Sequence, residues 1–437
     1  MLRSGPEPAR SAVSSGEARR LDDEDLLAKY AAEFHHPGDG GRRSTYLSGH
    51  SLGLQPVTVA DYVETELAAW RRLGVAGHAR GRRPWIGYHE HAAAALASLA
   101  GAGSTEVVAM NSLTVNLHLM MVSFFRPAAG RDCVLIEKSA FPSDRYAIVS
   151  QLAYHGLDAA RHLIEVEPRA AEWCLRTEDL IERIEREGPR LALVLLPGVQ
   201  YLTGQRLDLA PAIGAAQRAG AAVGLDLAHA IGNTPLRLHD WNADFAVWCS
   251  YKYLNAGPGA VGGCFVHERH ARRFDLPRFA GWWGSNKETR FRMPPEFEPI
   301  AGAEGWQISN PPVLSTAPLL ASLDIFARAS MSALREKSVA LTAFLERAIR
   351  SRLAESVDVI TPAEPDARGC QLSLRLLGGA RGRPAPDARA AHDRLLDAGV
   401  VVDWREPDIL RLAPAPLYNS YSDCFKAAEA LTAVVTS

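Results

Sequence analysis

Between about residue 105 and residue 265 the chain alternates short, wholly apolar runs with amphipathic stretches, and few folds accept that pattern. CVLIEK (133–138), LALVLLPG (191–198), AAVGLDLA (221–228), DFAVWCS (244–250) and GGCFVHE (262–268) read as strands. TEDLIERIEREG (177–188) and DLAPAIGAAQRAG (208–220) read as helices between them. A strand wetted on one face alternates polar and apolar residues, whereas a strand buried on both faces runs apolar throughout. The pattern therefore predicts an α/β fold, with a mostly parallel sheet covered on both faces and right-handed crossovers.

Outside that region the pattern changes. Residues 1–20 are rich in Ser, Gly, Pro, Ala and Arg and read as a disordered arm. Helical period starts near Leu21, gives way to the turn-rich YLSGHSLGLQP (46–56), and resumes over 57–73 and 88–101. A long helical stretch (318–355) then leads to QLSLRLL (371–377), a Gly/Pro/Arg-rich loop (378–387), a helix (388–398), VVVDWRE (400–406) and a last helix. The expected organisation has four parts: an arm (1–20), an N-terminal segment packing with the small domain (21–75), a large domain (76–317) and a smaller α+β domain (318–437). A length of 437 residues suits two domains.

Charge and cysteine content exclude several classes. Lys and Arg total 48 against 50 Asp and Glu, a net charge of −2, so no nucleic-acid or acidic-membrane partner is expected. The six cysteines are scattered, with no CxxC pair, which argues against zinc and a disulfide framework and for a reducing compartment. The first twenty residues hold no apolar core of a secretory signal. The longest apolar stretch, near Leu191–Val199, is about half a membrane span. A cytoplasmic protein is expected. His89 and His91 lie two apart in a helical pattern, so they point in different directions and make a poor metal pair.

Three features carry chemistry. In SYKYLNAGPGAVGG (250–263), Lys252 follows an apolar strand, stands between Tyr251 and Tyr253, and precedes a Gly-rich turn. An enclosed lysine has a lowered pKa and can form a Schiff base with an aldehyde; an ordinary surface lysine is the alternative. In LDLAHAIGN (225–233), Asp226 closes an apolar strand, where open α/β sheets bind ligands. It can pair with a pyridinium nitrogen, or simply cap the next turn; His229 is close enough to share the pocket. In MNSLTVNLHLMMVSFF (110–125), Asn111, Ser112 or Thr114 can cap a buried helix whose N-terminus would cradle a phosphate.

That order of helix start, strand-end Asp and strand-end Lys is similar to that of pyridoxal 5'-phosphate (PLP) enzymes of the aminotransferase fold. Longer segments make the likeness specific: YLSGHSLGLQP (46–56), GRRPW (81–85), LTVNLHLM (113–120), FPSD (141–144), TGQRLDL (203–209), DLAHAIGN (226–233), LHDWNADFAVWCSYKYLNAG (238–257), GWWG (281–284), ISNPP (308–312) and RLAPAPLYNS (411–420). On these the chain resembles the kynureninase family. The resemblance implies PLP hydrolysis of a kynurenine to an anthranilate and alanine, by a homodimer with shared active sites. It implies that Lys252 carries the cofactor and removes the substrate's α-proton. Asp226 would hold the pyridine nitrogen, Phe141 would stack on the ring with Asp144 nearby, and His229 would join the same shell. Leu113 (through its amide), Thr114 and Tyr251 would hold the phosphate, with Tyr251 also moving protons. Trp282 and Asn310 would complete the cofactor site across the dimer, and Arg411 would clamp the substrate carboxylate.

His78 and the Ser309–Asn310 pair resemble the form of the family that prefers 3-hydroxykynurenine, since His and Asn side chains can partner a ring hydroxyl. Two positions depart from the family: His50 stands where GNSLG has Asn, and Pro197 stands where many relatives place a small hydroxyl residue near the phosphate. Proline offers no donor. A cysteine desulfurase of the same fold would need a mobile-loop cysteine, and none of the six stands in such a loop. A non-catalytic PLP-binding regulator should lack one of Lys252, Asp226 or Arg411.

Overall fold

The computed structural model describes residues 13–38, 41–378 and 385–436. Seven strands form the central sheet: β1 (Val107–Ala109), β2 (Cys133–Glu137), β3 (Leu163–Val166), β4 (Leu191–Pro197), β5 (Ala222–Asp226), β6 (Phe245–Trp248) and β7 (Gly263–Val266). Their order across the sheet is β1-β7-β6-β5-β4-β2-β3. Strands β3, β2, β4, β5 and β6 are parallel, and β7 runs against both β6 and β1. The expected α/β fold with a mostly parallel sheet is the one observed. β1 and β3 escaped the sequence reading because they are short and β3 carries Glu165 among its apolar residues.

The apolar runs have the cause assigned to them. Side chains alternate faces along a strand. On β2, Cys133 and Leu135 enter one core cluster with Leu180, Ile213 and Leu225. Val134 and Ile136 enter the other, with Leu117, Phe124 and Trp306. Both faces are dry, so no position on β2 favours a polar residue until Glu137 at its end.

The small domain is built on helix Met331–Leu353 and four antiparallel strands, β8 (Val357–Val359), β9 (Leu372–Leu376), β10 (Asp403–Arg405) and β11 (Ile409–Leu412), in the order β8-β9-β11-β10. Helices Ala388–Asp397 and Tyr421–Thr436 complete it. The loop expected at 378–387 lies largely outside the described residues, which omit 379–384.

Three boundaries differ from expectation. Helix begins at Ser15, not Leu21, and runs to Asp23. The Ser14 side chain accepts from Glu17 N at 3.2 Å, a helix-start signature hidden inside a composition typical of disorder. Ala18 and Val13 are buried in the small domain's core; residues 1–12 of the expected arm lie outside the described residues. The segment 21–75 is divided between the domains. Thr45–Tyr46 pairs with Val400–Val401 of the small domain, whereas helix Val59–Leu73 packs on helix Val313–Ala329. The helical stretch expected over 318–355 is interrupted at Ser330, where φ is +60°. Helix Val313–Ala329 contributes Ala317, Leu320, Leu323 and Phe326 to the large-domain core. Helical period runs through both helices, so periodicity alone could not see the interruption.

Candidate active site

Parallel strands end together, and four of these ends border one cavity of about 150 Å³. Pro197 of β4 lies opposite Asp226 of β5, and Asp226 opposite Val247 of β6. Glu137 closes β2 and lines the same space. The carboxyl ends of open parallel sheets are where ligands bind, because the strands stop and the loops diverge there.

Lys252 stands four residues beyond β6, on a turn closed by Asn255 N donating to Lys252 O at 2.9 Å, with Asn255 at φ +52°. Its Nζ is 2.9 Å from His229 Nε2 and 5.7 Å from the centroid of the Phe141 ring. Burial, and then the Lys252 charge, hold the His229 pKa well below 6.5. The neutral imidazole is therefore favoured, with its Nε2 free to accept from Lys252 Nζ. The remaining hydrogen then sits on Nδ1, which is buried without a partner.

Three carboxyl groups share the cavity wall: Asp226, Asp144 and Glu137. Asp226 Oδ1 accepts from Ala228 N at 2.7 Å. Asp144, in the first turn of helix Pro142–Tyr154, is hydrogen-bonded to Asp226. Burial, then the Asp226 charge, raises the Asp144 pKa well above 3.8, which favours a protonated Asp144 in its hydrogen bond with Asp226. Asp144 Oδ1 is buried without a partner. Burial pushes Glu137 up to about 8, with Asp226 adding to the shift and a hydrogen bond from Gln200 opposing it.

A carboxyl whose folded pKa is raised holds its proton more tightly in the folded chain, so stability falls as pH rises. For Glu137 the window runs from its ordinary 4.5 to about 8. Without added ligand, the melting temperature should fall across that window, and Glu137→Gln should flatten part of the fall. Parallel melting curves for parent and variant across the window would show that Glu137 ionises at no cost to the fold.

Two helix N-termini complete the cavity. Thr114 is the second residue of helix Leu113–Phe124, and Ser143 the second of helix Pro142–Tyr154; their hydroxyl oxygens are 2.7 Å apart. First-turn N–H groups have no partner within their own helix, and the aligned backbone dipoles favour an anion. The donor set fits PLP: a lysine for the aldehyde, an acid pair for the ring nitrogen, and a hydroxyl-and-amide cradle for the phosphate. The orphaned Asp144 Oδ1 marks the acid pair as built for a further partner.

The fold gathers Leu113, Thr114, Phe141, Asp144, Asp226, His229, Tyr251 and Lys252 around this cavity. Pro197 also lines it. Tyr251 is hydrogen-bonded to Cys249, and burial raises its pKa, which keeps the hydroxyl protonated. Arg411, the expected carboxylate clamp, is placed outside the cavity wall. It is 1% exposed on β11 and is held by Asp403 Oδ1 (3.0 Å from Nε) and Tyr201 O (2.6 Å from Nη1). His78, Trp282, Ser309 and Asn310 are not brought to the cavity either; all four are exposed. His78 packs edge-on to Trp85, and Trp282 to Phe291. Sequence reading missed Glu137, Ser143, Tyr201 and Cys249 as lining residues. A carboxylate closing a wholly apolar strand was the available signal for Glu137.

Comparison with known proteins places the chain. Residues 46–377 match the class-V aminotransferase family, and residues 334–431 match the kynureninase C-terminal domain. The kynureninase of Koribacter versatilis (strain Ellin345) is 53% identical over 410 residues, covering 94% of this chain and 95% of the relative. That of Xanthomonas oryzae pv. oryzae (strain PXO99A) is 56% identical over 411 residues, covering 94% and 96%. Among solved structures, the apo cysteine desulfurase from Thermococcus onnurineus NA1 superposes with a TM-score of 0.74 at 16% identity, over 90% of this chain and 95% of that one. The cystine C–S lyase C-DES, in complex with its product cysteine persulfide, gives 0.73 at 18% identity, over 91% and 99%. These structural likenesses bear on the fold alone. More than half identical to curated kynureninases in alignments that cover 94% of its length, the chain belongs to the kynureninase family of PLP-dependent enzymes.

Proposed function

We propose that this chain hydrolyses the Cβ–Cγ bond of L-3-hydroxykynurenine, and of L-kynurenine less well, to the corresponding anthranilate and L-alanine. Family membership supports the reaction, which is that of a PLP-dependent hydrolase acting on carbon–carbon bonds in tryptophan catabolism. The structural observation that carries the reading is the convergence of Lys252, Asp226 and the Thr114–Ser143 pair on one cavity.

Bound PLP supplies an electron sink next to the substrate's α-carbon. Lys252 holds the cofactor and moves the proton at that carbon, with neutral His229 accepting from its Nζ. Asp226 holds the ring nitrogen, and protonated Asp144 supports it by hydrogen bond. Thr114, Ser143, the Leu113 amide and Tyr251 hold the phosphate. Tyr251 keeps its proton and so can deliver it at the substrate's carbonyl oxygen as water adds. Arg411 receives the α-carboxylate with the N–H groups that Asp403 and Tyr201 leave free.

The protein works as a cytoplasmic homodimer in this reading. Trp282 is 42% exposed beside Phe291 at 52%, with Phe279 and Met293 also exposed, a patch that suits a subunit interface. Trp282, Ser309, Asn310 and His78 would then reach the partner's cavity, and His78 with Asn310 would partner the ring hydroxyl. Free cysteines fit a reducing compartment, and no helix among the described residues is long and apolar enough to cross a membrane.

The test is steady-state turnover of PLP-loaded protein on both substrates, reading alanine and aromatic amine. The hydroxylated substrate should have the higher kcat/KM by roughly tenfold or more, because a buried partner left unpaired penalises the other. A higher value for unsubstituted kynurenine would refute the hydroxyl recognition. Alanine from neither would point to another ring-substituted kynurenine.

A further inference from the structure

The strap from Leu47 to Gly53 joins two parts of the site. At one end Ala413 N, two residues beyond Arg411, donates to Leu47 O at 2.8 Å. At the other, Gly53 N donates to Tyr251 O at 2.8 Å, beside Lys252. His50 sits between these anchors and is 0% exposed. Its ring centroid is 6.5 Å from that of His229. Both its nitrogens are buried with no partner. A neutral imidazole carries one donor and one acceptor, and burying both unmet is costly enough to demand a reason.

The surroundings point to an anion. The charged groups acting on His50 are Arg411 first, then Lys252 and Arg405. Asp403 is the acid on the same side, and it is taken up by Arg411 and Arg405. Arg411 has five N–H groups. Asp403 Oδ1 accepts from Nε and lies 2.7 Å from Nη2, and Tyr201 O accepts from Nη1, which leaves at least two. An α-amino acid carries its amine and carboxylate on one carbon. With the amine directed to Lys252 and the carboxylate to Arg411, the carboxylate would lie between the two cations that act most strongly on His50. His50 is buried to the same degree as Arg411, and like it does not line the cavity.

We propose that His50 is a further substrate-binding residue, its imidazole N–H donating to the substrate's α-carboxylate beside Arg411; this rests on the reading of the Lys252 site given above. Burial and the neighbouring cations keep the ring neutral, so it adds a directed hydrogen bond without adding charge to an already basic corner.

The test uses the PLP-loaded enzyme and two amines that are not cleaved, read by the absorbance change of the bound cofactor. L-Alanine has the carboxylate; ethylamine is the same amine without it. His50→Leu should weaken L-alanine binding roughly ten- to a hundredfold and leave ethylamine unchanged, the range for a hydrogen bond to a charged group. His50→Asn, which keeps an N–H donor, should stay within about threefold of the parent. His50→Phe, which keeps the ring's bulk without the donor, must show the same split as His50→Leu and serves if that variant does not fold. Unchanged L-alanine affinity in the donor-less variants, or equal weakening of both amines, would overturn the assignment. A parent holoenzyme whose spectrum answers to neither amine would instead overturn the reading of the Lys252 site, and the assignment with it.

Discussion

Lys252→Ala should lower turnover by at least about a thousandfold, the combined scale of a lost covalent anchor and a lost proton carrier. The visible absorbance of the lysine-bound cofactor should vanish in the same variant. Both effects follow from one atom. Lys252 Nζ is the group 2.9 Å from His229 Nε2, held over the Phe141 ring in a cavity walled by Asp226. Alanine leaves His229 with neither ring nitrogen partnered, since Nδ1 is already orphaned. The backbone turn at Lys252 is held by main-chain bonds, Asn255 N to Lys252 O and Gly53 N to Tyr251 O, which alanine keeps. The variant should therefore still fold, but melt somewhat below the parent, because a buried imidazole has lost its partner. Retained turnover in a correctly folded Lys252→Ala protein would remove this lysine from the chemistry altogether.

Asp226→Asn should cost on the order of a hundred- to a thousandfold in kcat with little change in fold, the range for removing one preorganised electrostatic contact. An amide keeps the shape and can still accept from Ala228 N, the 2.7 Å bond of the native carboxylate. It cannot balance a protonated ring nitrogen. A second consequence separates this account from a simple loss of a contact. Asp144 is protonated partly because the Asp226 charge opposes its ionisation. Removing that charge should lower the Asp144 pKa, so Asp144 takes up part of the lost role as pH rises. The activity deficit of Asp226→Asn should then shrink with increasing pH, and the double variant Asp226→Asn/Asp144→Asn should show no such recovery. A deficit independent of pH in the single variant would show that Asp144 and Asp226 do not share a proton.

Asp226 and Lys252 were legible in the sequence because one closes, and the other closely follows, a strand whose apolar run is itself legible. A parallel sheet dry on both faces admits polar residues only at its ends, so a charge there stands out. Thr114 was legible as a helix start for a similar reason. Glu137 obeys the same rule and was passed over within CVLIEK, where the run reads as apolar up to Lys138. Ser143 and Tyr201 had no such signal: one is a second helix start brought to the first by the fold, the other a loop residue whose carbonyl Arg411 and Gln371 both bind.

What the sequence by itself determined was the α/β sheet, the edge of it that would carry chemistry, and the family, through residues local to single strands and turns. What only the tertiary structure decided was the state of those residues. That Asp144 is an acid rather than a carboxylate, that His229 is neutral, and that Arg411 is already shared with Asp403 depend on neighbours distant in the chain. The same holds for the helix interruption at Ser330 and for the outward position of His78, Trp282, Ser309 and Asn310. Periodicity reports which face of an element is buried; it does not report what that face is buried against. Charge state and hydrogen-bond partners are set by that second quantity, because desolvation and Coulomb interaction act through space rather than along the chain.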